Sequence, residues 1–161
     1  IQPGSNIYRR QSRIDDFCII SGSGTIGKYC HITPMCLVAG GIPGIDISDY
    51  CTLAYGVKVF SQSDDYTGRS MVNSLIPRKF KAEKFSKVTI QRQSVVGTNS
   101  IIFPGVTLAE GTSIGASSLV NQSTNPWGIY YGIPARRMKE RSKELLSLEA
   151  LFEKEYRSAE L

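Results

Sequence analysis

The chain has a single histidine, His31, and no Cys-x-x-Cys among its 161 residues. Zinc sites of ordinary ligand spacing are therefore excluded. No apolar run approaches the length of a membrane span, and no leader-like segment is visible in these residues. Acids are few: 14 Asp and Glu against 19 Lys and Arg leave a net charge of +5 and a pI near 9.1. Such a balance favours an anionic partner, whether an acidic surface, nucleic acid or a phosphorylated cofactor. Nucleic acid is the weakest of these, because no RGG tract and no basic helix with interleaved aromatics is present. The length fits one domain with a real core.

What the sequence does have is a beat of six. Ile14, Ile20, Ile26, Ile32 and Val38 fall six apart, as do Ile47, Leu53 and Val59, and then Ile90, Val96, Ile102, Leu108, Ile114 and Val120. Six matches neither the helical period nor the alternation of a simple strand. It is a β-helix period, in which each hexad supplies a short strand and a corner. The aliphatic residue of each hexad is expected to point inward and to stack on its counterpart one coil away. A β-sandwich with regular strands would not hold so strict a register.

A second register runs four residues behind the first: Cys18, Gly24, Cys30, Cys36, Cys51, Val57, Ser94, Ser100, Val106, Thr112 and Ser118. These are compact residues, as a narrow coil requires beside its large inward ones. All four cysteines fall here, so they read as small core residues of a reduced, cytoplasmic protein without disulfides. Gly27, Gly97 and Gly115 directly follow an inward aliphatic, where a corner with φ > 0 is expected.

The repeats come in three blocks. Three extra residues separate the first from the second at Gly40-Gly41-Ile42-Pro43-Gly44, and a protruding loop over 61–87 separates the second from the third. The segment up to Arg13 is a candidate cap for one end. At the other end, Pro126 and Pro134 bracket a closing segment. From Met138 onward Leu145, Leu148, Phe152, Tyr156 and Ala159 take helical spacing, which implies an amphipathic helix packed on its own coil or, as the alternative, on a neighbouring subunit. The expected division is a repeat domain over 1–135 and a C-terminal helix over 136–161.

Three segments resemble the left-handed β-helix, hexapeptide-repeat acyltransferases, nearest the galactoside, maltose, O-antigen and capsule sugar acetyltransferases. They are Val96-Gly-Thr-Asn-Ser-Ile-Ile-Phe-Pro-Gly-Val106, Ile114-Gly-Ala-Ser-Ser-Leu-Val120 and Tyr131-Gly-Ile-Pro-Ala-Arg136. The resemblance implies an all-β, left-handed parallel β-helix with an extended loop and a C-terminal α-helix. It implies a homotrimer with active sites between subunits. The implied activity is transfer of an acetyl group from acetyl-CoA to a hydroxyl or amino group of a sugar or nucleotide sugar, in surface polysaccharide biosynthesis, without a metal. Two alternatives are a non-catalytic trimeric scaffold and an antibiotic-type acetyltransferase. The related β-helix carbonic anhydrase architecture needs three histidines on zinc and is excluded.

The same resemblance distributes the site. Thr98 and Ala116 would offer backbone groups to the pantetheine arm. Asn121 and Gln122 stand where relatives often carry Thr-Lys, which removes one positive charge near the cofactor. Arg136 and Lys139 would pair with its phosphates. Relatives commonly use a loop histidine as the base. Here the loop reads Ser61-Gln-Ser-Asp-Asp-Tyr-Thr-Gly68, so Asp64 or Asp65 takes that place, with His31 as a third candidate. An unperturbed aspartate is a poor base; an amine acceptor needs less help, which tilts toward N-acylation, while the polysaccharide relatives tilt toward O-acylation. Tyr55, Tyr66 and Asn73 are candidates for the acceptor pocket.

Overall fold

In the computed structural model the described residues are 5–7, in backbone only, and 11–157. They form a three-sided coil of short parallel strands, closed by a hairpin and one helix. The first face consists of Ser5–Ile7, Gly24–Ile26, Ile45–Ile47, Val88–Ile90 and Thr107–Leu108. The second consists of Arg13–Ile14, His31–Ile32, Thr52–Leu53, Val95–Val96, Ser113–Ile114 and the hairpin Gly128–Gly132 with Ala135–Glu140. Ile19–Ser21, Leu37–Ala39, Lys58–Phe60, Ile101–Ile102 and Leu119–Val120 make the third. The chain visits the faces in rotation, so successive strands of one face are a full coil apart.

Register pairing joins the inward aliphatics. Ile14 pairs with Ile32 and Ile90 with Leu108, eighteen residues or three hexads apart. Ile26 pairs with Ile47, and the three residues beyond eighteen are the extra ones around Gly41. Val59 pairs with Ile102 across the whole inserted loop. Every inward aliphatic from Ile20 to Val120 is buried, at most 4% exposed. Burial of each such side chain contributes roughly 1.5–3 kcal/mol.

The small residues do more than leave room. Cys18 Sγ donates to Thr33 O (3.1 Å), Cys30 Sγ to Ser48 O (3.1 Å), Cys36 Sγ to Ala54 O (3.3 Å) and Cys51 Sγ to Gln91 O (3.2 Å). In the later coils Ser94 Oγ donates to Ala109 O (3.3 Å) and Ser100 Oγ to Gly115 O (2.8 Å). Thiols and hydroxyls thus act alike, each satisfying a corner carbonyl of the next coil. The four cysteines are free.

The corner expectation needs correction. Gly27, Gly97 and Gly115 do not have positive φ. Positive φ falls three residues after the inward aliphatic, at Phe17, Tyr29, Met35, Tyr50, Gly56, Gln93, Asn99, Gly105, Gly111 and Ser117. Gly97 and Gly115 are required for close approach instead. A Cβ on Gly97 would lie 2.5 Å from the Ala116 nitrogen, and one on Gly115 would lie 2.5 Å from the Tyr131 ring.

The helix also begins later than expected. Residues 135–140 form the return strand of the hairpin, held to Gly128–Gly132, and the helix, α1, spans Leu145–Arg157. The helical pattern from Met138 is overridden by edge pairing to the last coil. Helix α1 packs on its own coil at the corner between the first and second faces. Phe152 meets the Tyr29 ring edge-on at 5.2 Å, while Tyr29 stacks on Tyr50 at 4.9 Å. Glu149 pairs with Arg92 and accepts from Gln93, and Tyr50 donates to Glu153. Leu148, expected on the packed stripe, is exposed. The coil corner presents hydroxyl and guanidinium groups there, so the glutamates face inward. Of the expected N-terminal cap, 5–7 form an edge strand on the first face, and 1–4 and 8–10 lie outside the described residues, as does Ala159.

The outward columns of the faces differ. The first presents Thr25, Asp46, Thr89 and Thr107, whereas the third presents Ile19, Leu37, Lys58, Ile101 and Leu119. Ile19 is 61% exposed. One side of the prism is therefore largely apolar outside as well as inside, broken only by Lys58 in this column.

Gly97→Ala is expected to cost about 2–3 kcal/mol of stability, because its clash is with backbone. Gly68→Ala meets nothing within 4 Å and has only its φ of +79° to strain, so about 1–2 kcal/mol is expected. Denaturant titration of the two variants checks the order.

Candidate active site

Two groups of candidate residues lie on opposite edges of the third face. The corner between the second and third faces carries Tyr55, Thr98, Ala116 and Tyr131, stacked on successive coils. Asn99 N–H donates to Tyr55 O (2.8 Å) and Ser117 N–H to Thr98 O (2.8 Å), which builds the stack. The N–H groups of Thr98 and Ala116 donate to no described residue. They are free donors in a row along a corner of half-buried and exposed residues. Such a row suits a thin ligand bearing carbonyls.

Arg136 and Lys139 extend this corner on the hairpin strand. Arg136 lies opposite Tyr131 and Lys139 opposite Ile129. Arg137, by contrast, is tied to Glu140 (2.7 Å) and to Pro126 O (3.4 Å). Arg141 is also occupied, bonding Gln93 O (2.5 Å) and Gly111 O (3.1 Å). Arg136 and Lys139 meet no carboxylate among the described residues. Asn121 and Gln122 follow Val120 at the far corner, between the third and first faces, so one chain does not bring them beside Thr98 and Ala116.

The loop 61–87 springs from that far corner. Its base is pinned by antiparallel pairing of Gln62–Ser63 with Lys84–Phe85. Between loop and third face lies a groove of about 600 Å³, lined by Ala39, Phe60, Phe103, Pro104, Ser63, Asp64, Tyr66 and Glu83. A second cavity, of about 470 Å³, continues from Asp64 past Asn73, Ser74, Arg78 and Lys81. Asp64 lines both.

The three acids of this region have different partners. Glu83 is paired with Lys81 at 3.2 Å. Asp65 accepts from Thr67 N–H (2.9 Å) and Ser70 Oγ (3.0 Å), and the Thr67 bond above all holds its carboxyl below the usual range. Asp65 thus shapes the turn. The Asp64 carboxylate accepts from no described residue, and only the Asp64 backbone carbonyl is engaged, by Ser63 Oγ (3.2 Å).

His31 stands elsewhere. It lies on the second face, with Nε2 2.9 Å from Asp15, whose other oxygen takes Arg13 at 2.5 Å. The bond to His31, then that to Arg13, lowers the Asp15 pKa. Within one chain nothing brings His31 to Asp64. Tyr66 is 89% exposed in the groove, Asn73 caps its own turn by accepting from Leu75 N–H (2.7 Å), and Tyr55 is at the opposite corner. No group of three or more His, Cys, Asp or Glu side chains among the described residues could hold a metal ion.

Sequence reasoning missed Ala39, Phe60 and Phe103. The signal was present: each directly follows an inward aliphatic, Val38, Val59 or Ile102, so the three fall in one column of the third face.

The chain is 36% identical over 155 residues, 94% of its length, to dTDP-4-amino-4,6-dideoxy-D-glucose acyltransferase of Escherichia coli, of which it covers 78%. It belongs to the hexapeptide-repeat sugar acyltransferase family. The protein is accordingly an acyltransferase. AntD, an N-acyltransferase from Bacillus cereus solved with dTDP and 3-hydroxybutyryl-CoA, superimposes with a TM-score of 0.90 at 36% identity, over 96% of this chain and 86% of that one. A hexapeptide-repeat acetyltransferase of Vibrio cholerae solved with acetyl coenzyme A shares the fold at a TM-score of 0.73 and 20% identity, over 87% of this chain and 72% of that one. No family model matches the chain.

Asp65 supplies a pH test of the loop. Its folded pKa is lowered, so its contribution to loop order is present above the ordinary aspartate value of about 3.9 and is lost as pH falls through the lower folded value. Hydrogen exchange across 61–87 is expected to rise as pH falls below 4. In Asp65→Asn it should already be raised at pH 7, once the intrinsic pH dependence of exchange is divided out.

Proposed function

We propose that the protein transfers an acyl group from a coenzyme A thioester to the amino group of a dTDP-linked 4-amino-4,6-dideoxy sugar. The observation that carries this is Asp64: a half-buried carboxylate without a donor among the described residues, lining both cavities of the loop. The similarity to the Escherichia coli enzyme, and to AntD solved with dTDP-4-amino-4,6-dideoxyglucose and CoA, supports the acceptor class.

The acceptor nitrogen attacks the thioester carbonyl. The C–N bond forms as the C–S bond breaks, CoA leaves as thiol, and the proton lost by nitrogen passes through the Asp64 carboxylate to the departing sulfur. No strong base is needed, because a neutral amine is already nucleophilic and loses its proton only as the bond forms. Asp65 orders the turn that presents Asp64. Tyr66 and Asn73 border the acceptor. His31 has no part in this chemistry.

Thr98 and Ala116 hold the pantetheine arm through their free N–H groups, Tyr55 borders it, and Arg136 and Lys139 meet the phosphates. These residues and Asp64 flank the third face on opposite edges, so a working site needs the donor corner of one subunit against the loop of another. The outward column Ile19, Leu37, Ile101 and Leu119, apolar apart from Lys58, supports a closed trimer joined there. Asn121 and Gln122 would meet the cofactor from the neighbouring subunit. We further infer a left-handed coil, division into the repeat domain over 1–135 and the C-terminal segment over 136–161, and a cytoplasmic setting in which the four thiols stay reduced.

With a dTDP-4-amino-4,6-dideoxy sugar and an acyl-CoA, CoA release is expected at an easily measured rate. Asp64→Asn should lower kcat about 10²–10³-fold with little change in melting temperature. Arg136→Ala should raise the KM for acyl-CoA about tenfold and leave that for the sugar unchanged. Full kcat in Asp64→Asn would remove the aspartate from the mechanism.

A further inference from the structure

The groove beneath the loop is larger and more apolar than an acetyl group requires. Ala39, Phe60, Phe103 and Pro104 form its floor, and Tyr66 forms part of its rim. Its volume is about 600 Å³, whereas the methyl of an acetyl group takes up about as much space as a water molecule, roughly 30 Å³. Phe60 and Phe103 come from adjacent coils, one register step apart, since Val59 pairs with Ile102. The two side chains therefore lie side by side along the coil axis in the groove wall, which makes the groove a slot in that direction. At the position of the neighbouring coil the residue is Ala39, so the slot widens toward the N-terminal end instead of being closed by a third large side chain.

Asp64 is the one acid of this groove without a partner among the described residues, and the reacting carbonyl must come close to it. From there, the acyl tail has two directions. The second cavity is lined by Arg78, Lys81, Asn73 and Ser74 alongside Ile42, Ile76 and Phe85, the more polar lining of the two, and suits the acceptor. The first is walled by the aromatic rings and by Ala39.

We propose that the slot formed by Ala39, Phe60, Phe103 and Pro104 seats the acyl chain of the donor and selects one longer than acetyl, of about four carbons. This rests on the acyl-transfer reading above, and it departs from the acetyl donor implied by the sequence resemblance. The presence of 3-hydroxybutyryl-CoA in the AntD structure is consistent with a donor of this size. Selection works through transfer of methylenes out of water into the slot. Each is expected to improve kcat/KM about fourfold, so two added carbons should give about fifteenfold. Ala39 sets the limit, because it is the only small residue in its column of the groove wall.

The test uses acetyl-, propionyl-, butyryl- and 3-hydroxybutyryl-CoA with the wild type, Ala39→Phe and Phe103→Ala. Kinetics are run with a dTDP-4-amino-4,6-dideoxy sugar, and donor binding is measured separately by calorimetry without acceptor. In the wild type, kcat/KM and affinity are both expected to rise by about tenfold or more from acetyl to four carbons. Ala39→Phe should invert that order, making acetyl-CoA the better donor. Phe103→Ala, a change at a partly exposed wall, should flatten it and keeps the test available should Ala39→Phe not fold. Equal or better use of acetyl-CoA by the wild type would overturn the proposal. So would an Ala39→Phe variant that raises the KM of the nucleotide sugar equally with every donor, since the slot would then hold the acceptor. Dissociation of the oligomer by Ala39→Phe, seen in sedimentation, would assign the slot to a neighbouring subunit and also overturn it. If no donor turns over yet butyryl-CoA binds more tightly than acetyl-CoA, the acceptor reading fails and the slot stands.

Discussion

The interior of the coil admits one aliphatic side chain and one compact side chain per hexad, and everything else in the molecule follows from that limit. The three faces are only two or three residues wide, so each inward position is in contact with its counterparts on the coils before and after it. A bulky residue in the compact register would push the coils apart. A polar group there is tolerated only when it can reach a corner carbonyl, as the thiols of Cys30 and Cys51 and the hydroxyl of Ser100 do.

Such a core leaves no room for a cavity. Binding sites must be made outside it, from corners, from outward columns and from insertions. The protein offers all three. Its corners leave N–H groups at Thr98 and Ala116 unused by the coil. The outward column of the third face supplies Phe60 and Phe103. The insertion between the second and third repeat blocks arches over them and brings Asp64 to the groove. Because the loop is pinned at its base by Gln62–Ser63 with Lys84–Phe85, it is part of the architecture despite its irregular sequence.

The legible part of this design was the part governed by the core. The inward aliphatics, the compact register and the cysteines within it could be read directly, since the physical demand repeats at a fixed period. The glycines show where such reading stops. Gly97 and Gly115 stand in a position where a strained corner is a reasonable expectation, yet they are there because a neighbouring coil or ring passes within contact distance. Distance between coils is not encoded at any one hexad. Likewise the C-terminal segment carries helical spacing from Met138, but its first part is captured by the open edge of the last coil, and the helix orients Glu149 and Glu153 inward to meet Arg92, Gln93 and Tyr50.

The sequence by itself determined the coil, its register, the position of its interruptions and the family resemblance that points to acyl transfer, because each of these depends on a repeating local requirement. Only the tertiary structure gave the acids different partners. Asp64 and Asp65 are neighbours of the same type, and a sequence cannot say which one spends its oxygens on its own turn. Folding gives Thr67 and Ser70 to Asp65, sends His31 to a separate cluster with Asp15, and leaves Asp64 over a wall of aromatic rings. That division depends on hydrogen-bond partners brought together by the loop and the coil, which no spacing along the chain records.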